Sequence, residues 1–86
     1  MFSIKTKPAF DRHFKKLPWV IQEKVKRRSE IFASNPFDQR LKTHKLHGER
    51  KEEWAYSVDY SYRITFVFVG EKEVLYTDIG THDDLY

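Results

Sequence analysis

Phe10, Phe14 and Leu17 recur at i, i+4 and i+7, so one apolar stripe runs down a short helix that opens at Pro8. Pro18 ends that helix and starts another, "PWVIQEKVKRRSEIFASN", where Ile21, Val25 and Phe32 share a face that Val20 and Ile31 widen. Glu23 and Arg27 stand four residues apart on it, a favourable pair, and Asn35-Pro36 stops it. Two helices joined so tightly predict an antiparallel hairpin. Ahead of them, "FSIK" reads as a short strand. After them the periodicity dissolves into "PFDQRLKTHKLHGERKEE", residues 36–53, a long basic loop. Loops beyond about 12–15 residues within a compact domain are usually functional or disordered. Three β-rich runs follow, "WAYSVD", "YRITFVFV" and "EVLYTDIG", divided by turn signals at Asp59–Ser61 and Gly70–Lys72. In the middle run Ile64, Phe66 and Phe68 alternate with Arg63, Thr65 and Val67, the pattern of a half-buried strand. The order β-α-α-β-β-β predicts an α+β fold: one domain over residues 1–86, a mostly antiparallel sheet packed against the helical hairpin. The first strand must pair somewhere along that sheet.

A chain of 86 residues has room for one core, and 16% aromatic content supplies it, because each ring buries a large area at small entropic cost. The absence of cysteine removes disulfides and Cys-based zinc sites. No apolar run has the length of a signal peptide or a membrane span, so the expected compartment is the cytoplasm, without membrane association. The net charge of +3 conceals an asymmetry. Residues 1–51 carry fourteen Lys/Arg against five Asp/Glu, whereas residues 52–86 carry two against eight. A basic first half suits nucleic acid or an acidic protein partner; the alternative is that the cations simply solvate two helices.

Arg63 is a lone cation in mid-strand. If the aromatic positions of its strand face the helices, Arg63 points to the other face of the sheet, where it suits an anion such as phosphate. A cross-strand ion pair with Asp59, Asp78 or Glu73 is the competing expectation. His44 and His47 lie in the basic loop with Lys42, Lys45 and Arg50, where a polyanion has cations to grip it. "HKLH" lacks the carboxylates or cysteines that would complete a metal site, so no metal or cofactor is expected. His13, among charged neighbours on the first helix, reads as a surface residue. His82 directly follows the last strand, where Gly80 is expected to let the backbone turn, and histidine is the usual acid or base near neutral pH. Trp54, Tyr56, Tyr62 and Tyr86 are available to stack on bases, or else belong to the core.

Taken together, "HKLHG", the tryptophan before the second strand, "YSYRITF" and the ending "IGTHDDLY" resemble the RelE/ParE superfamily of bacterial toxin–antitoxin toxins. The resemblance covers essentially the whole chain, and it is nearest to the YafQ-like and RelE-like ribonucleases. It implies a toxin that cuts mRNA in the ribosomal A site and is held inactive by a cognate acidic antitoxin, with operator DNA bound only through the antitoxin complex. It further implies catalytic roles for His82 and Tyr86 in the closing motif, for Arg63 on the scissile phosphate and for His44 as the base, with Asp59 as the lesser candidate. Lys42, Lys45, His47, Arg50 and Tyr56 are then the RNA-binding set, with Lys45 assisting Arg63. Asp83 and Asp84 read as solvent-facing spacers, either of which is also able to orient an imidazole.

The chain also departs from the family's pattern. RelE-like enzymes carry a second arginine near the end of the sheet, and "EVLYTDIG" has none. YafQ-like enzymes carry another histidine and an aspartate around the second strand and its turn, where "AYSVDYSYR" offers Tyr56 and Asp59. The rival readings are a ParE-like gyrase inhibitor without nuclease activity, an antitoxin-binding module whose activity has decayed, and a nucleic-acid-binding regulator.

Overall fold

The computed structural model describes residues 1–85. Its elements are β1 (Ser3–Thr6), α1 (Pro8–Lys15), α2 (Trp19–Ser34), β2 (His44–Lys45), β3 (Trp54–Ser57), β4 (Tyr62–Gly70), β5 (Glu73–Thr81) and α3 (His82–Leu85). The long loop is more ordered than its composition suggests. It holds the two-residue β2 and two single turns of 3₁₀ helix, at Gln39–Leu41 and Gly48–Arg50.

The hairpin of α1 and α2 forms because Pro18 breaks the chain and Gln22 repairs the break. The Gln22 side-chain amide donates to the carbonyls of Phe14 (3.0 Å), which also accepts from Leu17 N–H (3.1 Å), and of Leu17 (3.3 Å), tying α2 to the end of α1. The five strands lie in the order β1-β5-β4-β3-β2. The sheet is mixed rather than antiparallel throughout: β1 runs parallel to β5, with Ser3 opposite Glu73 and Thr6 opposite Tyr76. Parallel neighbours need a long crossover, and the helical hairpin begins that route.

The hairpin covers one face of the sheet. Phe10, Val25 and Phe32 meet Tyr56, Ile64, Phe66, Val74, Tyr76 and Ile79 there. Phe32 is the centre, fully buried, with ring centroids 4.9 Å from Tyr56, 4.8 Å from Phe66 and 5.7 Å from Tyr76. The two tyrosine hydroxyls share a 2.7 Å hydrogen bond, and that of Tyr76 meets Ser29 Oγ at 2.9 Å, so the polar tips are satisfied inside an apolar layer. Burial pushes the Tyr56 phenol up to about 12 and raises that of Tyr76 further. Tyr56, expected to contact RNA, is thus a core residue with no exposed surface.

Alternation along β4 turns Arg63 and Thr65 to the opposite face. There the chain from Leu46 to Glu53 and the short α3 fold back over the sheet, leaving Thr65, Leu46 and Leu85 buried.

Candidate active site

Register brings two of the predicted residues, Arg63 and His44, onto this second face. Arg63 is paired with Ser57 on β3 and Gly80 on β5. The next row along the face is Thr65, opposite Ala55, which in turn is opposite His44 on the edge strand. His82 follows two residues after Gly80, at the first position of α3. Strand spacing puts the backbones of His44 and Arg63 roughly 12 Å apart, two strands over and one row along.

The Arg63 Nη1 donates to the carbonyls of Asp59 (2.8 Å), Tyr60 (3.1 Å) and Tyr62 (3.2 Å), which dock the guanidinium against the β3–β4 turn. Among the described residues it forms no ion pair with Asp59, Asp78 or Glu73, so the competing expectation for this arginine is not met. A positive charge positioned by neutral carbonyls keeps its attraction for an anion.

Asp59 does not suit a general base. Its Oδ1 accepts from the backbone N–H groups of Ser61 (2.9 Å) and Tyr62 (2.8 Å), and its Oδ2 meets Lys24 Nζ at 3.4 Å. Burial works against its ionisation, but those N–H groups and Lys24 outweigh it and hold the carboxyl below its ordinary value. It is the residue that closes the β3–β4 turn. His44 suits the role better. It is exposed, and its Nδ1 lies 3.1 Å from the Lys42 carbonyl; only a protonated Nδ1 can donate there, so Nε2 is the basic nitrogen of the neutral ring. The turn that delivers it passes through Lys42, the one described non-glycine residue with positive φ (54°), and is braced by Thr43 Oγ1 on the Pro36 carbonyl (2.5 Å).

Lys45 points the other way. It follows His44 in the strand, and its ammonium sits 5.9 Å from the centroid of the Trp54 ring, on the side of the sheet away from Arg63. The assistance expected from it at Arg63 is therefore withdrawn. Lys42 and His47 are exposed, as an RNA contact requires. Tyr86, for which the resemblance implies a catalytic role, lies outside the described residues.

The chain end is built differently from its sequence reading. Gly80 makes no turn; it sits inside β5, and a Cβ there would lie 3.1 Å from Asp84 Cβ and 3.6 Å from Leu85 Cγ. Glycine is needed so that α3 can fold back across the strand. Nor are both aspartates spacers: Thr81 N–H donates to Asp84 Oδ2 and Asp84 N–H to Thr81 Oγ1, each at 3.3 Å. This reciprocal pair is a capping box that starts α3 at His82. His82 is exposed, with Nδ1 3.9 Å from Asp83 Oδ1. His13 is on the surface as expected, and its Nδ1 meets Asp78 Oδ1 at 2.6 Å, tying α1 to β5 beside a cleft of about 450 Å³.

No protein-family model matches the chain, and no curated protein matches it. Solved structures do. YafQ from E. coli strain BL21(DE3) aligns over 100% of this chain and 99% of its own, at 18% identity and a TM-score of 0.77. The YoeB/ParE toxin of Agrobacterium tumefaciens aligns over 95% and 99%, at 14% identity and a TM-score of 0.79. The chain has the fold of YafQ and of the YoeB/ParE toxin. A third likeness comes from the E. coli DinJ–YafQ toxin–antitoxin complex, over 99% of this chain and 97% of that one, at 18% identity and a TM-score of 0.75.

On the site face of this fold runs a polar chain that the sequence reading missed. Thr65 Oγ1 meets Thr77 Oγ1 at 2.7 Å, and Thr77 Oγ1 donates to Glu53 Oε1 at 2.8 Å. Glu53 Oε2 accepts from Arg50 Nε at 2.5 Å, while Arg50 Nη1 donates to the Leu85 carbonyl. Arg50, expected to hold RNA, is instead engaged within the protein. Burial disfavours the Glu53 carboxylate, but hydrogen bonds from Arg50 and Thr77 and the charges of Arg50 and Lys7 prevail and lower its pKa. A lowered folded-state pKa stabilises the fold above the unfolded value, about 4.3, and that contribution is lost as pH falls through the folded value. Urea unfolding between pH 2.5 and 6 should show it: the stability gap between the native chain and Glu53→Gln should be constant above about pH 5 and shrink below it. A gap independent of pH would mean that Glu53 gains nothing from being ionised.

Among the described residues no group of three or more His, Cys, Asp or Glu is gathered as a metal site would require, and no helix is long and apolar enough to cross a membrane.

Proposed function

We propose that this protein is the toxin of a toxin–antitoxin pair and a ribosome-dependent mRNA endoribonuclease that works by metal-independent acid–base chemistry. The observation that carries the reading is the placement of Arg63 against Gly80 in the sheet, with His82 two residues further on and α3 folded back onto the same face. A guanidinium positioned by carbonyls and an exposed imidazole at one end of one face are what phosphodiester transfer needs.

His44 Nε2 removes the 2′-OH proton, and the 2′-oxygen attacks the adjacent phosphorus. Arg63 stabilises the charge that gathers on the non-bridging oxygens, an effect that strengthens as water is excluded. His82 gives its proton to the departing 5′-oxygen, leaving a 2′,3′-cyclic phosphate and a 5′-hydroxyl. Tyr86 orients His82 or stacks on a base, and Lys42 and His47 line the approach of the strand. The ribosome supplies the geometry of the mRNA. An acidic antitoxin is the partner expected to hold the toxin inactive in the cytoplasm, as DinJ is the partner in the complex with YafQ.

Primer extension on an mRNA in a purified translation reaction, with and without ribosomes, tests this reading. Cuts that require ribosomes and carry cyclic-phosphate ends support it. Intact message at a toxin concentration that stops growth would overturn it and direct attention to DNA gyrase.

A further inference from the structure

The reaction assigned to His82 depends on where a helix of only four residues sits, and a helix so short has no stability of its own. Its capping box orders the first turn, and Gly80 admits it to the sheet, but neither contact fixes its far end. Leu85 is the buried residue of α3, and beside it Leu46, His47, Arg50 and Leu85 line a cleft of about 310 Å³. The contact that closes over this end is Arg50 on the Leu85 carbonyl, one of the acceptors a helix C-terminus leaves open.

Arg50 is itself oriented from behind. Its Nε is held by Glu53 at 2.5 Å, Glu53 by Thr77 at 2.8 Å and Thr77 by Thr65 at 2.7 Å, which is fully buried in the middle of β4. The chain of contacts thus runs from the strand that carries Arg63 to the helix that carries His82. The β4–β5 backbone pairing and the packing of α3 on these strands join the same two sides. A side chain with two separate donor groups is required, because one arm must grip Glu53 while the other reaches Leu85.

We propose that Arg50 and Glu53 are positioning residues for the ribonuclease site: a latch that fixes α3, and with it His82, relative to Arg63. This rests on the catalytic reading of His82, but the latch itself can be read without any substrate. Misplacement of a reacting group by about 1 Å can cost on the order of 100-fold in rate, so a loosened latch should act on turnover rather than on affinity.

Hydrogen exchange of the α3 amides in the intact protein is the direct test, run on the native chain, Arg50→Ala, Arg50→Lys and Glu53→Gln. Thermal unfolding accompanies each variant to establish that the domain remains folded. In Arg50→Ala the amides of Asp84 and Leu85 should exchange at least about tenfold faster while those of β4 and β5 keep their protection. Glu53→Gln should show the same pattern more weakly, and Arg50→Lys, with a single ammonium to divide between two acceptors, should fall between. On ribosome-bound mRNA, Arg50→Ala should lower kcat about 10- to 100-fold with KM little changed, and Arg50→Lys should recover part of it. Unchanged exchange in α3 of both Arg50→Ala and Glu53→Gln would overturn the latch. So would a loss of kcat in a variant whose α3 stays protected. Faster exchange in α3 with no cleavage even by the native protein would leave the latch standing and remove the ribonuclease reading instead.

Discussion

Substituting glutamine for His82 is expected to lower ribosome-dependent cleavage by about 10²- to 10⁴-fold, the usual worth of one acid–base group. Glutamine keeps a polar side chain of similar reach but cannot pass a proton to the departing 5′-oxygen. The fold should not notice the change, because His82 is exposed and the helix start depends on Thr81 and Asp84 instead. Surface substitutions of this kind usually stay within about 0.5 kcal/mol. The expected result is therefore an inactive protein with an unchanged unfolding curve. Single-turnover cleavage on pre-bound ribosomes is the measurement. Retention of even a third of the native rate would remove His82 from the reaction and leave Arg63 and His44 to be reassigned.

What could be read from the chain beforehand, and what could not, divides along physical lines. The helices and the last three strands were legible because apolar positions repeat along them with a helical or a strand period, and Pro8, Pro18 and Pro36 punctuate the helices. The face of Arg63 followed from alternation with Ile64 and Phe66. The same rule, applied to β3, would have placed Tyr56 in the core: Tyr56 lies opposite Ile64, so the two share a face. That register depends on how many residues the β3–β4 turn holds back, and the turn's bounds are set by Asp59 capping it rather than by any periodicity. The parallel pairing of β1 with β5 had no local signal, because it is decided by where the helical hairpin returns the chain. The two residues of β2 are too few for a period. The capping box was readable in principle, as a Thr with an acidic residue three places on, but an aspartate there is less usual than a glutamate. Gly80 shows how one residue supports two arguments: flexibility would have allowed a turn, whereas the structure uses its missing side chain. The chain from Thr65 to Leu85 was invisible because its members come from four separate segments and meet only in the folded sheet.

Phe32→Ala is expected to cost about 3–5 kcal/mol, the range for removing a fully buried aromatic ring. Small domains unfold at about 5–15 kcal/mol in total, so this one change takes away about a fifth of the stability or more. The size follows from the neighbours. Phe32 has no exposed surface and touches Tyr56, Phe66 and Tyr76 with its ring, so its removal opens a void bordered by three rings held in place by their own strands. Those strands are pinned by the sheet ladder and cannot collapse inward to fill it. The two buried tyrosine hydroxyls beside the void add a polar wall that favours water entry, a further route to loosening. Phe32→Leu, which keeps most of the volume, should cost much less. Urea unfolding at pH 7 measures both, and the m-value should stay constant if only the native packing is affected. The function should follow stability here rather than chemistry. Below its melting temperature the leucine variant should cleave at near the native rate, because Ile64 and Phe66 still hold β4 in register and so still present Arg63 to the opposite face. A leucine variant that is stable but inactive would mean that the aromatic layer tunes the site across the sheet, and that the two faces are not independent.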